Sequence, residues 1–388
     1  MSPRVVTGLE RVALGEVRLE GRVGLLAHPA SVDVSLTHTS SVLRRSGVTL
    51  HALFGPEHGY GGEAQDMIAV GEARDPSGAP IYSLYGSTEE TLSPSPEQLS
   101  LIDTLVVDLA DVGSRYYTYV WTAALALKAA ARAGVRTVIL DRPNPLGGAI
   151  VEGGVQRPGH RSFVGLYDVA VRHGMTLAEI VNMVAKLEGI DAAAFSLVTM
   201  RGWSRATRWE DTGLPWVHPS PNMPTLDTAR VYPGGCLLEG TELSEGRGTT
   251  KPFEIWGAPG LDGRALAERV EAPGAILRPL TFTPSFHKHA GQIVGGVQVH
   301  VTDPDRFRSY ETYLAMIAEA ARQLGDRFRW RHAPYEFVAE IPAIDLLTGG
   351  PELREAIAGD RAIGDVIDAE RAGAEAFART REPWLLYR

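Results

Sequence analysis

Short apolar runs that alternate with helical segments are the feature of this sequence that most limits its fold. Six such runs indicate buried strands, over residues 22–27, 48–54, 81–84, 104–109, 137–140 and 195–200. Helices are predicted between them, over residues 40–46, from about residue 95, up to about residue 133 and over residues 176–187. Strands that alternate with helices are typical of a parallel sheet. We therefore predict an α/β fold with a mostly parallel sheet.

Three helix ends carry local signals. Ser95 followed by Pro96 is a favourable start, because serine caps the first turn and proline suits its first position. Thr176 with Glu179 has the spacing of a capping box, in which each side chain bonds the backbone of the other residue. Gly134 suits the position just after a helix end. These signals fix the predicted element order locally.

The texture of the sequence changes near residue 215, where proline and glycine become dense up to residue 259. We predict a long ordered loop there, because apolar and aromatic side chains interrupt it. The remainder is predicted to form a smaller α/β unit, with helices over residues 265–270, 310–324, 351–358 and 363–378 and extended chain over 276–282 and 295–302. The predicted domains are therefore residues 1–225 and residues 226–388.

Composition excludes several classes of partner. The chain of 388 residues has a net charge of −9 and no basic run, which argues against nucleic acid. No stretch approaches the roughly 20 apolar residues of a membrane helix. The single cysteine, Cys236, rules out an intrachain disulfide framework. Because the start has no apolar export signal, we expect a cytoplasmic protein without membrane contact.

The segment from Leu53 to Gly62 (LFGPEHGYGG) is the strongest candidate for a site. It follows a predicted strand, and its glycines and proline set an unusual backbone path. In open α/β sheets ligands bind at the carboxyl ends of strands, where this loop would lie. We predict that Glu57 performs proton chemistry there, although a lone loop glutamate is more often a capping group. His58 would tune Glu57, bind substrate or satisfy the loop backbone.

Other chemically rich residues follow predicted strands. His28 follows the first strand, Asp108 to Tyr119 follow another, and Asp141 to Asn144 follow a third. Carboxyl ends of parallel strands meet at one sheet edge, so we expect these residues to converge. Arg115 and Tyr117 suit a sugar or a carboxylate, because arginine bonds a carboxylate twice and tyrosine stacks and donates.

Four polar residues of the glycine-rich segment after residue 215 are further candidates: Asn222, Glu239, Glu245 and Arg247. Glycines around them favour a close approach of the backbone to a ligand. The structural alternative is that Glu245 and Arg247 pair with each other. For Asp108, a hydrogen bond to nearby backbone is as good an interpretation as a functional one.

Two rival classes receive little support. The first strand leads into His28-Pro29-Ala30, with neither the glycine pattern of a dinucleotide site nor a phosphate-binding loop. Histidines and aspartates near the strand ends offer metal ligands, but the sequence has none of the close spacings of known zinc sites. We expect no cofactor and no metal.

The motifs of this chain resemble those of the exo-β-N-acetylmuramidase (NamZ-type) family of peptidoglycan hexosaminidases, from about Gly21 to Tyr387. The resemblance rests on LFGPEHG (53–59), DVGSRYYTY (111–119), LDRPNP (140–145), RHGMT (172–176), LPW (214–216), PSPNMPT (219–225), EGT (239–241) and SEGRGT (244–249). Two departures are Tyr60-Gly61-Gly62, where the family often has an arginine, and Leu109-Ala110, where it often has a glutamine. Both concern substrate contacts.

The resemblance implies a Rossmann-like N-terminal domain, a smaller C-terminal domain and a cleft between them. It also implies release of N-acetylmuramic acid from the non-reducing end of peptidoglycan fragments, with a small saccharide or muropeptide as substrate. A general acid in such a reaction needs a pKa raised by burial. The predicted catalytic residues are Glu57 as the acid, His58, Asp111 and Glu245, and the predicted substrate-binding residues are Arg115, Tyr117, Asn144, Asn222, Glu239 and Arg247.

The second catalytic group stays open at this point. Asp111, Glu239 and Glu245 are the candidates, and the substrate's acetamido group is an alternative nucleophile. An arginine is expected to meet the lactyl carboxylate. Two other functions also remain open: a metal-dependent hydrolase, and a muropeptide-binding protein without catalysis.

Overall fold

The computed structural model describes residues 4–62, 64, 68, 73–359 and 361–388. Its strands are β1 (Val23–Ala27), β2 (Leu50–Gly55), β3 (Ala73–Arg74), β4 (Pro80–Ser83), β5 (Thr104–Asp108), β6 (Arg136–Leu140), β7 (Phe195–Val198), β8 (Ile255–Ala258), β9 (Ala275–Phe282) and β10 (Val294–Val301). Its α-helices are α1 (Gly8–Ala13), α2 (Thr39–Arg45), α3 (Pro96–Leu99), α4 (Tyr119–Arg132), α5 (Leu177–Leu187), α6 (Leu226–Gly235), α7 (Gly263–Arg269), α8 (Ser309–Leu324), α9 (Ala343–Thr348), α10 (Glu352–Ala358) and α11 (Ile363–Thr380). Short 3-10 helices lie at Glu89–Leu92, Ala192–Ala194, Trp209–Asp211, Cys236–Gly240, Gly325–Arg327 and Glu382–Trp384.

The large sheet has the strand order β3-β4-β2-β1-β5-β6-β7. All neighbours in it are parallel except β3 and β4. The predicted α/β fold with a mostly parallel sheet is therefore confirmed. The order reverses at β1, which pairs with β2 on one side and β5 on the other. Such a reversal opens a crevice beyond the carboxyl ends of the strands.

Alternate residues of the central strands face opposite layers, as the period of a strand requires. Leu25, Leu53 and Val106 belong to the apolar cluster under α1 and α2. Their neighbours Leu26 and Phe54 belong to the main core, which continues through α4 and α5 into the C-terminal half. Both faces of the sheet are covered, which explains why its strands are apolar throughout.

The C-terminal half contains a three-stranded antiparallel sheet, ordered β8-β10-β9, beside α7 and α8. This arrangement confirms a second, smaller α/β part. The predicted division between residues 225 and 226 falls at the start of α6, whose cap is the Thr225 side chain. The division itself remains a prediction.

The predicted long loop over residues 215–259 is wrong in part, because it contains α6, a 3-10 turn and β8. Helix α6 contains Pro233, Gly234 and Gly235, and these residue types are unfavourable in a helix, which is why no helix is predicted there. Packing on α8 makes it possible: the Ser309 hydroxyl donates to the carbonyl of Val231 and accepts from the amide of Gly234. A Cβ at Gly234 would come within 2.3 Å of the Ser309 carbonyl oxygen. Tertiary contact thus overrides intrinsic propensity here.

The Thr176–Glu179 capping box forms as predicted, and α5 begins at Leu177. Ser95 and Gln98 form a second box at the start of α3. Helices α1 and α9 lie in segments for which no helix is predicted from the sequence. Within the described ranges, no helix is long and apolar enough to cross a membrane.

Candidate active site

The loop after β2 carries Glu57 and is folded back tightly on itself. A Cβ at Gly55 would lie 2.1 Å from the amide nitrogen of Tyr60, so only glycine allows this close approach. His58 has a φ of 71°, which non-glycine residues rarely adopt. Its Nδ1 lies 2.8 Å from the carbonyl oxygen of Ala64 and donates to it. The loop backbone therefore sets the direction of both side chains.

Glu57 is buried, with 7% of its surface exposed. The hydroxyl of Thr118 donates to Glu57 Oε2 at 2.9 Å. Thr118 is the residue before α4, so the start of this helix positions the carboxyl.

A second layer behind Glu57 joins three loops. Tyr119 donates its hydroxyl to the Pro219 carbonyl at 2.9 Å and lies 3.3 Å from the carbonyl oxygen of Glu57. His28, which follows β1, packs edge-on against the Tyr119 ring and also reaches the Pro219 carbonyl through Nδ1. Its Nε2 accepts the amide hydrogen of Ala110. The ring therefore has one fixed neutral tautomer.

Acidification is expected to destabilise the protein through His28. Burial, with the nearby Arg142 charge, lowers the pKa of His28 to about 3. Below pH 6.5 the His28 side chain binds a proton in the unfolded chain but not in the folded chain. The free energy of unfolding therefore falls as the pH falls from 6.5 towards 3. At pH 5 this one group should lower the unfolding free energy by about 2 kcal/mol relative to neutral pH. Chemical denaturation at pH 7 and pH 5 measures the change.

His28→Gln is the matched control, because glutamine offers a donor and an acceptor but does not titrate. The difference between wild type and variant removes the contribution of every other group. Equal losses of stability in the two proteins between pH 7 and pH 5 would contradict the prediction.

Glu239 and Arg247 form an ion pair beside the Glu57 loop. Arg247 Nη2 lies 2.6 Å from Glu239 Oε1, and the hydroxyl of Tyr335 donates to Glu239 Oε2 at 2.7 Å. The guanidinium also lies over the ring of Phe253, 5.2 Å from its centroid. Both oxygens of Glu239 are engaged, so this side chain is held in one orientation.

Glu245 is fully buried beside Arg247, His287 and Lys288. Arg247 Nε lies 3.1 Å from its Oε1, His287 Nδ1 2.9 Å from the same oxygen, and Lys288 Nζ 2.9 Å from Oε2. Burial alone raises the pKa of Glu245, but Lys288, His287 and Arg247 outweigh it and hold the pKa well below its ordinary value. The structural alternative considered from the sequence, a pair with Arg247, is the arrangement found. This placement argues against the predicted catalytic role.

One cavity brings together six of the ten predicted site residues. They are Glu57, His58, Tyr117, Asn222, Glu239 and Arg247. The tyrosines of the wall pack edge to face, with Tyr117 4.8 Å from Tyr119 and 5.8 Å from Tyr232 between ring centroids. Burial raises the pKa of Tyr117, which keeps its hydroxyl a proton donor. The cavity is narrow, at about 40 Å³, which is a few times the space that one water molecule needs.

Three other predicted residues lie outside this cavity. Arg115 is fully buried and donates to the carbonyls of Gly154, Val169 and Leu347, which argues against the predicted contact with substrate. Asn144 has a similar structural position, because its amide bonds the Met175 carbonyl and the Leu146 amide. Asp111 accepts from the amide of Gly113 and borders a separate cavity beside Trp216. The substrate-binding roles of Arg115 and Asn144 stay predictions, and these contacts favour a structural interpretation of both residues.

Sequence reasoning missed several residues of the cavity wall, above all Glu336, Thr118 and Ser220. Thr118 and Ser220 lie within the motifs at residues 111–119 and 219–225, so their position in these motifs is a signal that could have identified them. Glu336 lies far along the chain in a segment without any motif signal. Only its place in the folded chain brings it to Glu57.

A roomier cavity of about 300 Å³ lies elsewhere, with four arginines in its wall. Each of these is paired with a carboxylate, in the pairs Arg172–Glu152, Arg205–Glu179, Arg208–Asp305 and Arg230–Glu210. Its wall lacks Glu57, Glu239 and Glu336, the carboxyl groups that line the Glu57 cavity. The Glu57 cavity is therefore the candidate active site because of the side chains that line it, although it is the smaller of the two cavities. Within the residues that the structure describes, no three His, Cys, Asp or Glu side chains are grouped to hold a metal.

Comparison with known proteins gives consistent matches over the whole chain. The model of the N-terminal part of exo-beta-N-acetylmuramidase NamZ matches residues 23–227, and the model of its C-terminal part matches residues 230–387. Peptidoglycan beta-N-acetylmuramidase NamZ of Bacillus subtilis (strain 168) is 40% identical, over 99% of this chain and 92% of its own. Two crystal structures of DUF1343 family proteins from Bacteroides fragilis NCTC 9343 share the fold. One has a TM-score of 0.86 at 33% identity, covering 99% of each chain. The other has a TM-score of 0.73 at 27% identity, covering 100% of this chain and 99% of its own.

Proposed function

Because the chain belongs to the exo-β-N-acetylmuramidase NamZ family, we propose that it is a glycoside hydrolase that releases N-acetylmuramic acid from the non-reducing end of peptidoglycan fragments. The relative from Bacillus subtilis carries the name of this activity. The predicted Rossmann-like sheet serves as a scaffold, with the site at the carboxyl ends of its strands.

The observation that carries the proposal is the buried carboxyl of Glu57 in a cavity walled by tyrosines. Hydrolysis of a glycoside needs a proton for the departing oxygen, and a carboxyl group shielded from water supplies it. Thr118 fixes one oxygen of Glu57, and the strained loop fixes its backbone. Glu57 is therefore proposed as the general acid.

Substrate contacts are proposed for the other polar residues of the cavity. Arg247 and Asn222 are assigned to the lactyl carboxylate and the hydroxyl groups, because muramic acid is an anion and arginine binds carboxylates well. Tyr117 offers a hydroxyl and a ring face to the sugar. Glu239 holds Arg247 in place, and His58 borders the reacting bond from the Glu57 loop.

The test is release of the aglycone from a chromogenic N-acetyl-β-muramide and from the matching N-acetyl-β-glucosaminide. Release from the muramide alone is expected, because only that sugar carries the lactyl carboxylate. A chelator should leave the rate unchanged. Loss of activity with a chelator and recovery with one metal would favour a metal-dependent hydrolase. Tight binding of muropeptide without release from either substrate would favour a binding protein. The cytoplasmic location stays a prediction.

A further inference from the structure

A tight turn at Tyr335–Val338 presents Glu336 to the cavity. The amide of Tyr335 donates to the Val338 carbonyl at 2.9 Å, and the amide of Val338 donates to the Tyr335 carbonyl at 3.0 Å. Glu336 has a φ of 45° and Phe337 a φ of 68°. Two central residues with positive φ between reciprocally bonded partners are the arrangement of a type I′ hairpin turn.

The residue types of this turn are not those that the turn favours. Type I′ turns strongly prefer Asn-Gly or Asp-Gly, since other side chains clash with the backbone at positive φ. This chain has Glu336 and Phe337 instead. Strained backbone of this kind concentrates at functional sites, where other contacts hold it in place. We therefore expect the contacts of the Glu336 and Phe337 side chains to compensate for the strain of the turn.

Tyr85 is the partner of both side chains. The Phe337 ring lies 5.6 Å from the Tyr85 ring between centroids. The Tyr85 hydroxyl donates to Glu336 Oε2 at 3.0 Å. Tyr85 itself is buried and packs on Phe163. The Glu336 carboxyl is thus held in one position, only 5% exposed, in the wall of the cavity that contains Glu57.

The chain before the turn is tied to the loop that holds Glu239. The amide of Arg331 donates to the carbonyl of Gly240, and the amide of Glu242 donates to the carbonyl of Arg329. Tyr335, the first residue of the turn, bonds Glu239 directly. The turn and the Glu239–Arg247 pair therefore belong to one connected wall of the cavity.

The contacts also separate the carboxylates that compete for a second role in the reaction. Glu239 has its two oxygens engaged by Arg247 and Tyr335. Glu245 contacts Arg247, His287 and Lys288 and does not line this cavity, and Asp111 borders a different one. Glu336 shares the cavity with Glu57, and the Tyr85 hydroxyl positions its carboxyl group. A carboxylate in the same cavity as the proposed acid is placed to act on the same glycosidic bond.

We propose that Glu336 is the second catalytic carboxylate and acts as the base for the attacking water; this rests on the proposed function. The proton of Glu57 passes to the glycosidic oxygen as the bond from C1 to that oxygen breaks, and the bonding electron pair stays on the departing oxygen. The oxygen of water forms the new bond to C1, and its proton passes to the Glu336 carboxylate. Solvent then returns this proton to Glu57, so the sum is one water consumed per bond cleaved.

The test uses the full-length chain with a chromogenic N-acetyl-β-muramide. Glu336→Gln and Glu336→Gly are both expected to lower kcat at least 100-fold with little change in KM. Neither should lower the melting temperature, because glutamine keeps an acceptor oxygen for the Tyr85 hydroxyl and glycine suits the positive φ of the turn better than glutamate does. Azide, an anion that attacks without a base, should restore aglycone release by Glu336→Gly and give a glycosyl azide in the mass spectrum. Glu340→Gln, an exposed neighbour in the same segment, is the control and should retain wild-type kcat.

Other results would overturn the assignment. Wild-type turnover in Glu336→Gln, with the wild type still releasing the sugar, would remove Glu336 from the reaction and leave the proposed function intact. A lowered melting temperature in both Glu336 variants, with no azide product, would make the residue structural. Absence of sugar release by the wild type would instead refute the proposed function.

Discussion

Glu57→Gln is expected to lower the turnover of an unactivated muramic disaccharide by about 10²–10⁴-fold, the usual contribution of a positioned general acid. The glutamine side chain keeps the shape, and its carbonyl oxygen still accepts from the Thr118 hydroxyl, which lies 2.9 Å from the carboxyl in the wild type. Only the transferable proton is lost. Release of N-acetylmuramic acid under saturating substrate measures the effect, and thermal unfolding should be unchanged.

A substrate with a good leaving group provides the sharper comparison for this variant. An aglycone such as 4-nitrophenolate departs without protonation, so Glu57→Gln should lose far less activity on it than on the disaccharide. Glu97→Gln, at an exposed position of α3, is the matched control and should resemble the wild type on both substrates. Equal losses on the two substrates would speak against an acid role for Glu57.

Arg142→Met is expected to destabilise the protein by about 3–5 kcal/mol, because it leaves a carboxylate buried without its cation. Arg142 Nε lies 2.5 Å from Asp108 Oδ1, and Nη2 lies 2.8 Å from Oδ2. Asp108, the last residue of β5, is 0% exposed, and its remaining side-chain partner is the hydroxyl of Thr39. Methionine fills the space of the arginine but offers no donor. Denaturant unfolding at neutral pH measures the loss.

The exposed pair of Arg22 and Asp103 serves as the control for this experiment. Both side chains are about half exposed, at 49% and 50%, and their guanidinium–carboxylate distance of 2.8 Å is similar. Arg22→Met should therefore cost far less, since solvent screens the exposed charge. The prediction fails if the two substitutions have equal effects. In that case water would reach Asp108 and replace its partner.

Asp108 shows which properties of a residue can be predicted from the sequence and which cannot. From the sequence, a structural hydrogen bond and a functional role were equally good interpretations of this residue. The position at a strand end was predicted correctly, because an apolar run ending in a polar residue marks that end. The choice between roles needed Arg142 and Thr39, which come from two other segments and meet Asp108 only in the folded chain.

Arginines show the same limit more strongly. Arg115 and Arg247 were both predicted to bind the anionic part of a substrate, on residue type and motif alone. In the structure the Arg115 guanidinium donates to backbone carbonyl groups in the interior. Arg247 instead lies in the cavity wall, between Glu239 and Glu245. A long side chain has several directions available, and packing against distant segments selects one of them.

The sequence by itself determined the parallel sheet, the order of its main elements and the edge at which polar residues gather. It could do so because strand periodicity, helix caps and glycine-rich loops are local, and because carboxyl ends of parallel strands must meet. Only the tertiary structure decided which acidic side chains share a cavity. Glu57 and Glu336 are far apart along the chain, and contacts such as that of Tyr85 with Glu336 depend on the packing of both halves. No local pattern encodes such a meeting.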